Sequence, residues 1–204
     1  MGRYEEQGRV SRRDVIARLG AFALTLMGAG AHGAAAKRPA KAAGPARWDD
    51  RMEMAVDFEI NPPDGFRYRP PYVAVWLEDQ AGSPVRTLSL WVENSGRGSR
   101  WIPDLRRWYR EGLAVWQGGG PDLIKTVSSA TRMPGRYSLV WNGRDDRGRP
   151  VPQGTYIVNL ETAREHGPYT LAQKTVTIGS KPFTTQVVGN EEIKGATIEY
   201  RKRA

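Results

Sequence analysis

The run Pro134-Gly135-Arg136-Tyr137-Ser138-Leu139-Val140-Trp141-Asn142-Gly143-Arg144-Asp145-Asp146-Arg147-Gly148, followed by Val151-Pro152-Gln153-Gly154-Thr155-Tyr156, is the densest structural pattern in the chain. Tyr137, Leu139 and Trp141 recur at every second position, which predicts a strand with its large side chains turned inward. Asn142-Gly143 supplies a positive φ for a tight turn, and Asp145-Asp146-Arg147-Gly148 a second turn. Gly154 then admits the chain to a strand carrying Tyr156. The expected unit is a β-hairpin with Trp141 and Tyr156 in its core.

Strand patterns continue on both sides. Met52, Met54, Val56, Phe58 and Ile60 alternate with Glu53, Ala55, Asp57 and Glu59, and Asn61–Gly65 closes that strand as a turn. Tyr72–Leu77 and Val85–Val92 flank the turn Gln80-Ala81-Gly82-Ser83 and predict a hairpin, with Val85, Thr87, Ser89 and Trp91 on one face of the second strand. Thr155–Ala163, Leu171–Ile178 and Thr197–Tyr200 add strands toward the C-terminus. One helix is expected, Asp104–Gly112, with Leu105, Trp108 and Tyr109 at helical spacing, before the flexible break Gly118-Gly119-Gly120-Pro121. Seven to eight strands around one short helical insertion predict an all-β antiparallel β-sandwich over residues 48–204.

The N-terminus predicts an address. Ser11-Arg12-Arg13 precedes an apolar run from Leu19 to Ala31, and Ala34-Ala35-Ala36 forms a small-residue cleavage site with Ala34 and Ala36 at its recognition positions. Residues 1–36 therefore read as a cleavable signal peptide, and the adjacent arginines as its twin-arginine variant, which expects export to the periplasm. A membrane anchor needs roughly 20 apolar residues, and this run is shorter. Residues 37–47, rich in Ala, Lys, Pro and Gly, read as a disordered linker.

Beyond residue 36 the chain holds 26 Lys and Arg against 19 Asp and Glu, a net charge of +7. Much of that excess lies in Lys37–Arg47 and in Arg201-Lys202-Arg203, both expected as disordered ends, so a generically basic surface is expected and not a nucleic-acid groove. There is no cysteine. Disulfides, thiolate metal sites, iron–sulfur clusters and c-type haem attachment are thereby excluded, and the cofactor is left open.

The chemistry-bearing candidates are few. His166 is the only histidine outside the expected signal, and it stands in Arg164-Glu165-His166-Gly167. An imidazole beside a carboxylate suits single-site ligation or acid–base work, or else a structural role. Arg132 suits bidentate binding of a carboxylate or phosphate, or a pair with Glu161 or Glu165. If Arg164-Glu165-His166-Gly167 is a turn, Glu161 and Glu165 do not share a strand face, so the strand holding Glu161 is expected to end near Ala163 and Arg164–Gly167 to turn back over the sheet edge. Trp76, Trp91 and Trp141 are expected in the core. Trp101, Trp108 and Trp116 form either further core or an exposed stacking surface. No nucleophile–base pair and no multi-histidine metal set can be assembled, which argues against an enzyme.

Tryptophan, Asn-Gly, Asp, Gly, then Pro-x-Gly-x-Tyr resembles the immunoglobulin-like (Ig-like) domain of flagellar hook-capping proteins. Ala130-Thr131-Arg132-x-Pro134-Gly135, Glu161-x-Ala163-Arg164-Glu165-His166-Gly167, Trp91-Val92 and Leu105-Arg106-Arg107-Trp108 together resemble a family of predicted periplasmic proteins with an uncharacterised domain, over Met52–Ile178. The resemblance implies twin-arginine export and an accessory role in membrane redox or metal handling, beside a PepSY-type or flavin-linked membrane partner. It implies a fold and no reaction. The expected function is a non-catalytic periplasmic module, using Arg132, Arg164, Glu165, His166, Trp101, Trp108 and Trp116 to bind. The alternatives are a small-ligand or metal-cofactor carrier using His166 and Arg132, and a hook-capping-like extracellular structural component.

Overall fold

Alternation decides the first strand, β1 (Met52–Ile60), which buries Met54, Val56, Phe58 and Ile60 on one face. The computed structural model describes residues 44–62, 69–93 and 96–203. The expected signal peptide, with Ser11, Arg12, Arg13, Ala34 and Ala36, lies outside the described residues, as does the expected linker up to residue 43. Where that linker becomes visible, the carbonyl of Ala46 already accepts from the Gln153 N–H at 2.6 Å.

Eight further strands follow: β2 (Tyr72–Asp79), β3 (Pro84–Trp91), β4 (Ser128–Ser129), β5 (Gly135–Trp141), β6 (Gly154–Ala163), β7 (Tyr169–Ile178), β8 (Phe183–Val188) and β9 (Ile193–Lys202). They form a four-stranded sheet in the order β5-β1-β9-β8 and a five-stranded sheet in the order β4-β3-β2-β6-β7. All pairings are antiparallel except β3 with β4. The chain is an all-β sandwich, as the strand count predicts.

The five-stranded sheet is covered on both faces. Val73, Val75, Leu77, Val158 and Leu160 pack into the sandwich interior with β1 and β9. Tyr72, Ala74, Trp76, Leu90 and Ala163 face the other way, onto a helical layer. That layer is a 3-10 helix, Gly98–Asp104, then α1 (Arg106–Gln117) and α2 (Leu123–Val127). Burial on two faces explains why β2 reads as a continuous apolar run and not as an alternating one.

The structure corrects several expectations. Trp141 and Tyr156 are both buried, with rings 5.6 Å apart and edge to face, yet they belong to different sheets. β5 pairs with β1, while β6 pairs with β2 and β7, so residues 142–153 form an arch across the sandwich and not a hairpin turn. The reason lies in what the arch binds. Asp146 N–H donates to the Val85 carbonyl and the Asp146 carboxylate accepts from Thr87 N–H, which holds the arch on β3. Gly143, at φ +75°, leaves room for Trp48; a methyl there would collide with the indole.

The helix runs past Gly112 to Gln117, because its stop signal is the glycine triplet. Gly119 adopts φ +77°, its N–H bonds to Trp116 O, and Gly120 N–H bonds to Val115 O. That is a Schellman cap and not a flexible break. On β3 the expected alternation fails at a bulge opposite Val75 and Trp76, which turns Leu88 toward the sandwich core and Thr87 toward Trp108. The tail Arg201-Lys202-Arg203 is ordered: Arg201 pairs with Glu53 at 2.9 Å, and Arg203 N–H donates to Arg51 O. The elements β4, α2 and β8 carry no periodic pattern long enough to be read in advance.

Candidate functional site

β6 ends at Ala163 and Arg164–Gly167 turns the chain back into β7, as expected from the turn residues. The turn closes with Gly167 N–H donating to Arg164 O at 3.1 Å. Its third residue, His166, takes φ +57°, the left-handed conformation that costs a non-glycine residue about 1–2 kcal/mol. The imidazole stands edge to face against Trp101 at 4.9 Å, with 73% of the side chain exposed. Glu165 forms an ion pair with Arg69 and faces Arg100 at 4.0 Å and His166 Nε2 at 3.9 Å. The Arg100 guanidinium lies over the Trp101 ring at 4.9 Å. Trp101, Glu165 and His166 are thus brought together, with two arginines that sequence reasoning missed. Arg100 had a readable signal, its adjacency to Trp101. Arg69 had none.

Arg164 belongs to the frame beneath this patch. Its Nε and one terminal nitrogen donate to the two carboxylate oxygens of Glu192 at 2.6 and 2.7 Å, with 10% and 5% of the side chains exposed. The other terminal nitrogen donates to Arg69 O. This fork-to-fork pair joins the β6–β7 turn to the segment entering β9, and so ties one sheet to the other.

Arg132 does not form the expected bidentate pair with Glu161 or Glu165. Its guanidinium lies over the Trp91 ring at 4.8 Å and over Tyr137 at 5.6 Å. Trp91 faces the sandwich interior, whereas Glu161 faces the helical layer on the opposite side of the same sheet. Alternation therefore separates the two groups. Glu161 instead accepts the backbone N–H groups of Arg107 and Trp108, both at 2.8 Å. Burial pushes its carboxyl up from the usual range, against the pull of those two donors. Beside it, Glu78 is fully buried and accepts from Arg107 at 2.9 and 2.6 Å and from the Trp76 indole at 3.0 Å. These carboxylates serve the seam between helix and sheet.

The three insert tryptophans part company. Trp101 joins His166, Trp108 is buried and donates its indole N–H to Thr87, and Trp116 is 54% exposed. Trp108 and Trp116 border a slot of about 120 Å³ between α1 and α2. Among the described residues, no group of three or more His, Cys, Asp or Glu side chains is placed to hold a metal ion. No helix among them is long and apolar enough to cross a membrane.

Fold and surface together define a two-sheet β-sandwich with a helical layer on one sheet and a polar–aromatic patch at its β6–β7 turn. Residues 53–195 match the family model described as "Predicted periplasmic protein (DUF2271)", and the chain belongs to that family. Neither a curated protein nor a solved structure matches the chain.

Proposed function

We propose that this protein is a non-catalytic binding module of the periplasm, exported folded by the twin-arginine route, and an accessory to a membrane redox or metal-handling system. The observation that carries the reading is the patch of Arg69, Arg100, Trp101, Glu165 and His166. The Arg69, Arg100 and His166 side chains are each more than half exposed, and His166 holds a left-handed backbone conformation. The buried carboxylates Glu78, Glu161 and Glu192 are each engaged by arginines or helix amides, which is structural work. The Trp141–Gly143 and Pro152–Tyr156 pattern supports an Ig-like sandwich similar to that of hook-capping proteins.

The test is capture of membrane proteins from detergent extracts by the exported protein, compared with His166→Ala and Trp101→Ala. His166→Ala should melt within a few degrees of the parent because that side chain is exposed, Trp101→Ala should melt lower because Trp101 also packs against the helical-layer core, and both should lose the captured partner. Capture undiminished in both variants would remove the patch from the function.

A further inference from the structure

α1 carries a glycine at its seventh residue, Gly112, where alanine would favour the helix. Packing does not demand that glycine. A methyl group there would stand 3.6–3.8 Å from the Trp108 ring, which is ordinary contact. Gly112 lines a slot of about 120 Å³ together with Trp108, Tyr109, Leu113, Trp116 and Ile124. Trp116 stands at this slot with 54% of its surface in water, which the hydrophobic effect alone does not favour.

We propose that this slot binds a neutral small molecule built on a single aromatic ring. Its size sets the limit. An enclosed cavity of about 150 Å³ accepts benzene, so a slot of about 120 Å³ suits a single ring. Its walls set the chemistry, since Trp and Tyr faces favour offset or edge-to-face contact with another ring. Asp122 is the one acidic side chain in the lining, and it already caps α2 through Lys125 N–H at 3.2 Å and pairs with the Lys125 ammonium at 3.2 Å. A compensated carboxylate does not call for a cationic ligand. Gln117, Lys125 and Thr126, which follow wall residues in sequence, are exposed and polar.

The experiment is an amide chemical-shift titration of the folded protein with p-cresol, and in parallel with methyl glucoside. p-Cresol should give saturable shifts at Gly112, Leu113, Trp116 and Leu123, and the glucoside should give none. Gly112→Ala should keep or raise the melting temperature and weaken p-cresol at least about fivefold, because the added methyl overfills the slot. Trp116→Ala should weaken it as well. Unchanged affinity in Gly112→Ala, a lowered melting temperature in that variant, or preference for the glucoside would each overturn the proposal. So would slot shifts that grow with protein concentration alone, which would mark a second copy as the occupant.

Discussion

Glu161 caps α1 from outside the helix: its Oε2 accepts the backbone N–H of Trp108 at 2.8 Å, across 53 residues of chain. The helix has no side-chain cap of its own, since Leu105 stands at the N-cap position. A carboxylate on β6 therefore satisfies donors that would otherwise be orphaned, and its charge complements the positive end of the helix dipole. Glu161→Gln should cost about 2 kcal/mol, because the amide offers one acceptor where two are used. Urea denaturation measures the loss, and faster hydrogen exchange at Arg107 and Trp108 locates it. Unchanged stability would mean that the helix start does not depend on this contact.

Arg107 and Glu78 form the second tie between helix and sheet. Removing only the cation leaves a fully buried carboxylate beside a single indole donor. Arg107→Met should therefore cost about 3–5 kcal/mol, and Glu78→Gln in the same chain should recover part of it. A double variant no more stable than Arg107→Met alone would show that the charge is not the source of the cost.

Asp146 gives the fold a pH dependence of unusual sign for a carboxylate. Burial pushes its carboxyl up to about 6, against the opposing Thr87 N–H and the Arg86 charge. Because the folded protein then binds the proton more tightly than the unfolded chain, stability falls as pH rises through the window from about 4 to about 6. The contribution is on the order of 3 kcal/mol at most. Melting temperatures of the parent and Asp146→Asn across that window isolate the effect. The difference between the two should change between pH 4 and pH 6 and level off above it, and a flat difference would contradict the burial argument.

Gly143 and Trp48 hold the arch between β5 and β6. Gly143→Ala combines a positive φ with a collision against the indole, so it should destabilise more than Trp48→Ala alone. Trp141→Ala should cost about 3–5 kcal/mol, as for other large aromatic truncations in a core. Chemical denaturation orders the three variants. A milder Gly143→Ala would show that the arch can shift away from Trp48.

Export should depend on the guanidinium pair and not on bulk charge. Changing Arg12 and Arg13 together to Lys should abolish periplasmic accumulation, because the twin-arginine receptor reads the pair as an address. Fractionation followed by immunoblotting checks it, and normal accumulation would assign the general secretory route instead.

Period-2 alternation over Met52–Ile60 and Tyr137–Trp141 was enough to determine those strands, because side-chain direction along a strand is a local property of the backbone, while the strand count pointed to the sandwich and the turn residues Arg164–Gly167 to the end of β6 at Ala163. The absence of cysteine and the isolation of His166 limited the chemistry by composition alone. Partner choice was different. Whether β5 turns back onto β6 or crosses to the other sheet depends on Trp48, Val85 and Thr87, which lie far from the arch in sequence. The same holds for Glu161 with Trp108, Glu192 with Arg164, and Arg100 with Glu165. A carboxylate and its donor meet only after two sheets and a helix have packed, so charge and spacing along the chain do not encode the pair. Only the tertiary structure decided that Arg132 rests on Trp91 and Tyr137, because the sheet's own thickness stands between it and Glu161.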